Sequence, residues 1–247
     1  MKPSQARLAA ARSRIIVALD LATPTQARAL AVRLVGRPGL FKVGSQLFTT
    51  AGPDVVRWLR RRRERVFLDL KFHDIPHIVA EACVRAADLG VSLLTVHTSG
   101  GPAMLRAARQ ALDKHRRGRR RPRLLGVALL TSLSAPEVRR IGFRGTVDSN
   151  VVRLARLAQV SGCDGVIAAP TDVRAIRRAC GKKFLIVTPG IKAASGVKAR
   201  DQARVATAAE AIRAGADYVV VGRAVYAAAS PSRAFDQLAA EVAAVLR

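Results

Sequence analysis

Aromatic residues are scarce in this chain: Phe, Trp and Tyr together make up 4% of its 247 residues. Surfaces that grip single-stranded nucleic acid stack bases on aromatic platforms, so little is available to build one, despite a formal net charge of +26. Acidic residues are also few, 17 against 43 lysines and arginines. The basic excess gathers in runs at Arg60–Arg63 and His115–Arg123. These fall where helices end and loops begin, the ordinary place for a solvated face; an anionic polymer or membrane surface is the other reading of such a field. In either case the field would draw in a phosphorylated substrate. Cys83, Cys163 and Cys180 are odd in number, widely spaced and form no CxxC pair. That argues against a disulfide framework and a zinc site and suits a reducing, cytoplasmic setting. No apolar run approaches the ~20 residues of a membrane helix, and the first residues lack the apolar core of a secretory signal.

What the chain does have is a regular alternation. Eight short apolar runs recur: RIIVALD (14–20), LFKVG (40–44), VFLDLK (66–71), SLLTVH (92–97), LLGVALLTS (124–132), DGVIA (164–168), FLIVTPG (184–190) and DYVVVGR (217–223). Near-continuous apolarity implies strands buried on both faces, as in a parallel sheet covered by helices. Between them lie helical stretches at Thr25–Val35, Val55–Arg63, Pro76–Leu89, Pro102–Lys114, Asn150–Val160, Thr171–Ala179, Thr207–Ala214 and Pro231–Leu246. Prolines such as Pro24, Pro76, Pro102 and Pro231 sit at or just inside their starts, where a missing N–H costs nothing. Gly36, Gly90 and Gly215 sit where helices stop. Eight strand–helix pairs predict a single α/β domain over 14–247, a (β/α)8 TIM barrel, with an open doubly wound sheet as the alternative. Residues 1–13 read as a short, basic, solvated lead-in.

In such a barrel the reactive face is the carboxyl end of the strands. There the sequence gathers charge: Asp20, Lys42, Asp69, Lys71 and, just beyond, Asp74. Residues two apart on a strand share a face, so Asp69 and Lys71 project together into the mouth beside Lys42. Buried charges must be paired, and a Lys–Asp–Lys–Asp alternation pairs them; structural ion networks share the D-x-K-x-x-D spacing. The Gly222–Arg223 pair after the eighth run falls where barrels commonly hold phosphate. His73 reads as a packing or hydrogen-bonding residue at its strand end, and His97 as a neighbour of the mouth.

The longer strings are more specific. FLDLKFHDIP (67–76), VALD (17–20), LFKVG (40–44), LTS (130–132), VTPGI (187–191), DQ-x-RV (201–205) and GADYVVVGR (215–223) occur in order, and together they resemble the orotidine 5'-phosphate decarboxylase family from about residue 14 onward. The resemblance implies cofactor-free and metal-free decarboxylation of orotidine 5'-monophosphate in pyrimidine synthesis. It implies Lys71 as the proton donor, Asp69 against the substrate carboxylate, and Lys42 and Asp74 completing the charged array. Asp74 is expected to reach the neighbouring subunit's site, hence a homodimer. Asp20 and Lys42 are expected on the ribose, Thr131 and Ser132 by the base, and Gln202 between base and phosphate. Gly222 and Arg223 are expected on the phosphate, with Pro189 and Lys192 in the substrate-binding turn. The chain departs from the family pattern at Lys192, where arginine is usual, at His77–Ile78, where Asn-Thr is usual, and at Ala224, where proline is usual. Related sugar-phosphate decarboxylases and aldolases share D-x-K-x-x-D but hold a divalent metal partly through an acid at the position of Lys42. A lysine there opposes a cation. An RNA-binding barrel that has lost its chemistry is the reading from another class, and the intact charged array speaks against it.

Overall fold

The structure, a computed structural model, describes residues 3–115, 121–192 and 204–246. Eight parallel strands close on themselves: β1 (Ile15–Ala18), β2 (Leu40–Gly44), β3 (Val66–Phe72), β4 (Leu93–His97), β5 (Arg123–Val127), β6 (Gly165–Ile167), β7 (Leu185–Thr188) and β8 (Tyr218–Val221). Since β1 pairs with both β2 and β8, the sheet has no edge, and the open doubly wound alternative is excluded.

The described helices cover the outside. They are α1 (Gln5–Ser13), α2 (Pro24–Arg33), α3 (Ser45–Ala51), α4 (Asp54–Arg61), α5 (Pro76–Asp88), α6 (Gly101–Lys114), α7 (Ala135–Arg140), α8 (Val147–Val160), α9 (Val173–Cys180), α10 (Ala208–Ala214), α11 (Arg223–Tyr226) and α12 (Pro231–Ala243). Their boundaries follow the expected punctuation. Thr23 caps α2 by accepting the Gln26 N–H at 3.2 Å, with Pro24 next in line. Gly215 ends α10 at φ +112°, a left-handed conformation that any side chain would strain.

Strand alternation divides the core into two layers. Ile16, Leu40, Phe67, Leu93, Leu125 and Val187 fill the barrel, while residues such as Val17, Phe41, Leu68, Leu94 and Ile186 pack outward against the helices. The same parity carries Asp20, Lys42, Asp69, Lys71, Pro189 and Gly222 to the inner side at the carboxyl end.

Two expectations need correcting. The stretch read as a solvated lead-in contains a helix, α1, with Ser4 as its cap. Its Ala11 is fully buried, and Arg12 binds Asp236 of α12 at 3.1 Å. An alanine-rich helix packs through closely approaching backbone instead of a bulky stripe, so hydrophobic periodicity does not announce it. The long run 124–132 leaves the sheet at Val127, and Leu133 N–H closes a turn on the Leu130 carbonyl at 3.1 Å. Leu130–Ser132 therefore lies in a loop at the mouth.

Candidate active site

A cavity of about 450 Å³ opens at the carboxyl ends of the strands, a size ordinary for small-molecule sites. Its polar wall is built on the first three strands. Lys42 Nζ lies 2.9 Å from Asp20 Oδ1 and 3.6 Å from Asp69 Oδ2, and Lys71 Nζ lies 2.9 Å from the same Asp69 oxygen. The order Asp20–Lys42–Asp69–Lys71 thus alternates in sign across the floor. Close approach depends on Gly44, where a Cβ would come within 2.9 Å of both Asp20 Oδ1 and Lys42 Nζ.

Asp69 is buried, and burial by itself would push its carboxyl up. The Lys42 and Lys71 ammoniums, with hydrogen bonds from Lys71 and Thr95, outweigh that and hold it below the ordinary carboxylate value. Asp69 is therefore an anion at neutral pH, held between two cations. His97 is driven the other way, down from its ordinary value, first by burial and then by His73 and Lys71. Its ring lies against that of His73, tilted by 38° with centroids 5.3 Å apart, and neither histidine lines the cavity.

The opposite wall is apolar, with Val127, Leu129, Ile167 and Val220, and suits the face of a planar ring. The far rim carries Thr131, Pro189, Lys192, Gly222 and Arg223, all lining the cavity. Lys192 is anchored by its main chain, which donates to the Ala206 carbonyl at 3.1 Å, while its side chain is exposed. Ser132 is exposed and stands outside the lining. Gln202 lies outside the described residues. Asp74 is also exposed and absent from the lining, and its Oδ1 accepts the Ile75 N–H at 2.7 Å.

Sequence reasoning missed the apolar wall and three polar residues. Gln46 and Tyr226 line the cavity from α3 and α11, helices too short to leave a periodic signal. Thr95 is fully buried on β4 and bonds both Asp69 and Lys71. Its signal was available, because alternation along SLLTVH turns Leu93, Thr95 and His97 inward together.

Among the described residues no group of three or more His, Cys, Asp or Glu is placed to hold a metal ion, and no helix is long and apolar enough to cross a membrane. A wider hollow of about 770 Å³ lies outside the barrel against Leu68, Leu70 and Phe72 of β3. Its charged groups are mostly arginines, without the lysine–carboxylate alternation of the mouth.

Known proteins place the chain in a family. The orotidine 5'-phosphate decarboxylase from Trichlorobacter lovleyi is 46% identical over 234 residues, covering 95% of this chain and 97% of that protein. That from Nitrosococcus oceani is 45% identical, covering 95% and 99%. The crystal structure of the Lactobacillus acidophilus orotidine 5'-phosphate decarboxylase superposes with a TM-score of 0.82 at 35% identity, covering 92% of this chain and 98% of that one. The model of the orotidine 5'-phosphate decarboxylase / HUMPS family matches residues 13–238, and the chain belongs to that family.

Proposed function

We propose that the chain converts orotidine 5'-monophosphate to uridine 5'-monophosphate and CO2, the decarboxylation step of pyrimidine synthesis, without a metal or organic cofactor. The observation that carries this reading is Lys42, seated between the carboxylates of Asp20 and Asp69. A divalent ion at that point would meet an ammonium.

The chemistry calls for such an array. Breaking the bond from C6 to the carboxylate leaves an electron pair in the plane of the pyrimidine ring, where the π-system cannot delocalise it. The protein must supply oriented charge. A fixed ammonium about 4 Å from a unit negative charge is worth roughly 4 kcal/mol at an effective dielectric of 20, and more once water is excluded. Lys71 stabilises the developing anion, donates an Nζ proton to C6 as CO2 departs, and regains a proton from solvent. Asp69 holds the Lys71 ammonium at 2.9 Å and lies against the substrate carboxylate. Asp20 and Lys42 take the ribose hydroxyls, and Thr131 with Ser132 takes the base. Pro189 and Lys192 shape the closing turn, Gln202 spans base and phosphate, and Gly222 with Arg223 binds the phosphate, beside the loops where barrels commonly do so. Remote phosphate binding then contributes to the chemical step.

The active form is a homodimer with shared sites. The position of Asp74 supports this: it stands clear of its own cavity, close in sequence to Ile75 and Ile78, which are 63% and 47% exposed. An exposed carboxylate beside apolar surface suits insertion into a second copy. Cytoplasmic location is supported by the three buried free thiols; burial pushes Cys83 and Cys163 up to about 12, which makes them inert. The test is ultraviolet-monitored turnover of orotidine 5'-monophosphate by purified protein before and after exhaustive EDTA treatment. Activity unchanged by chelation is expected. Activity lost with chelator and restored by magnesium overturns the metal-free reading.

A further inference from the structure

The strand that carries the reactive lysine is irregular where the lysine sits. Along β3 and β4 the pairing runs Leu68 with Leu94, then resumes with Phe72 opposite Val96. Asp69, Leu70 and Lys71 thus stand against Thr95 alone. Two extra residues preserve parity, so Asp69 and Lys71 both still face the cavity, but the chain must bulge. The bend is taken up at Lys71, whose φ is +52°, in the left-handed region that a non-glycine residue enters only under strain.

A bulge strips backbone groups of their ladder partners, and a buried N–H needs another acceptor. Here the Lys71 N–H donates to Thr95 Oγ1 at 2.9 Å, and the Thr95 hydroxyl donates to Asp69 Oδ1, also at 2.9 Å. The direction of this relay is fixed, because an amide nitrogen only donates and a carboxylate only accepts. Asp69 Oδ1 is thereby occupied on the β4 side, and Oδ2 is left for the two ammoniums. One side chain thus fixes both the main chain of the lysine and the rotation of the carboxylate beside it.

We propose that Thr95 is a positioning residue for the reaction at Lys71, holding the strained bulge and the Asp69 carboxylate in the one arrangement that aims the ammonium at the reacting carbon. The inference rests on the decarboxylase reading of the site. Valine matches threonine in shape but supplies neither hydrogen bond, whereas serine supplies both. Thr95→Val should lower kcat on the order of 10- to 100-fold, the scale of a displacement near 1 Å, while affinity for uridine 5'-monophosphate stays within about threefold. Thr95→Ser should regain most of the rate. In Thr95→Val the acid limb of kcat should move to higher pH, since Asp69 loses one of the hydrogen bonds that favour its anion and protonates sooner as pH falls.

The test measures kcat, KM and nucleotide affinity for wild type, Thr95→Val and Thr95→Ser. Alongside, the Asp69 carboxyl carbon is titrated by NMR, which needs no turnover. If Thr95→Val does not fold, Thr95→Cys, with a weaker donor in similar volume, takes its place. An upward-shifted Asp69 titration with a kcat-specific loss rescued by serine supports the inference. Kinetics within twofold of wild type, equal losses in valine and serine variants, or an unmoved Asp69 titration overturns it. A wild type that titrates as described but does not turn over the nucleotide overturns the decarboxylase reading instead.

Discussion

The two ends of this barrel pair charges in different ways. At the amino end the cations are arginines. Asp164, at the start of β6, receives Arg121 through Nη1 and Nη2 at 2.6 and 2.8 Å and the Leu124 N–H at 2.8 Å. Asp217, at the start of β8, receives Arg177 Nη2 at 2.7 Å and the Ile186 N–H at 2.8 Å. Each carboxylate ties a neighbouring strand to a guanidinium, through two nitrogens at Arg121 and one at Arg177, and Arg121 holds its proton more firmly than usual, chiefly through its hydrogen bond to Asp164. At the carboxyl end the array's cations are lysines, single point charges set beside a cavity, one of them on a strained backbone. A guanidinium never releases its proton in a protein, whereas an ammonium can. Arginine is used where charge must hold the fold, and lysine where the proposed mechanism moves a proton.

The largest effect should come from Lys71. Lys71→Ala should lower kcat by several orders of magnitude while the melting temperature stays near wild type, because the side chain is one-third exposed. A loss under roughly tenfold, ~1.4 kcal/mol, would contradict its role as proton donor. The variant also tests sharing across a dimer. Lys71→Ala and Asp74→Ala proteins should each be nearly inactive, and mixing them under subunit exchange should restore activity, since some heterodimers keep one site with both residues. Demonstrated exchange without recovery would count against interfacial sites.

Next should come the amino-end pair, with the opposite signature. Asp164→Ala leaves Arg121 without its fork partner and the Leu124 N–H without an acceptor, a loss on the order of 3 kcal/mol for a largely buried pair. In a domain of this length that lowers Tm by about 6–12 °C. The kcat of the folded fraction should be unchanged. A fall in kcat with unaltered Tm would erase the distinction between the two ends.

How much of this was legible in sequence depended on whether the signal was periodic. The eight strands were, because burial on both faces leaves apolar runs too dense for a loop. Parity along those runs then placed Asp20, Lys42, Asp69 and Lys71 in one mouth. The short helices α3, α7 and α11 were not legible: each spans two turns or fewer, too little for a 3.6-residue period to emerge, and with them went Gln46 and Tyr226. The bulge at Lys71 was also hidden. An insertion of two residues leaves inward–outward alternation intact, so nothing in LDLKF reports that the strand leaves its register there.

The smallest effects fall where an arginine and a lysine share the mouth. If arginine holds and lysine reacts, Arg223 should bind without taking part in proton transfer. Its planar fork can take two phosphate oxygens, whereas Lys192, exposed at the rim, offers a mobile point charge. Arg223→Ala should therefore reduce kcat/KM by on the order of 2–4 kcal/mol, the scale of losing a charge-assisted contact to a desolvated anion. The loss should disappear for a truncated nucleoside lacking the phosphate. Lys192→Ala should cost less, and Lys192→Arg should be neutral or better, because a guanidinium suits the same anion. Raising salt should lower kcat/KM smoothly and alike in all three variants, since the net charge of +26 acts by steering. If Lys192→Ala were the more damaging, phosphate recognition would belong to the turn after β7 and not to the end of β8, and the mouth would use lysine for holding as well as for reacting.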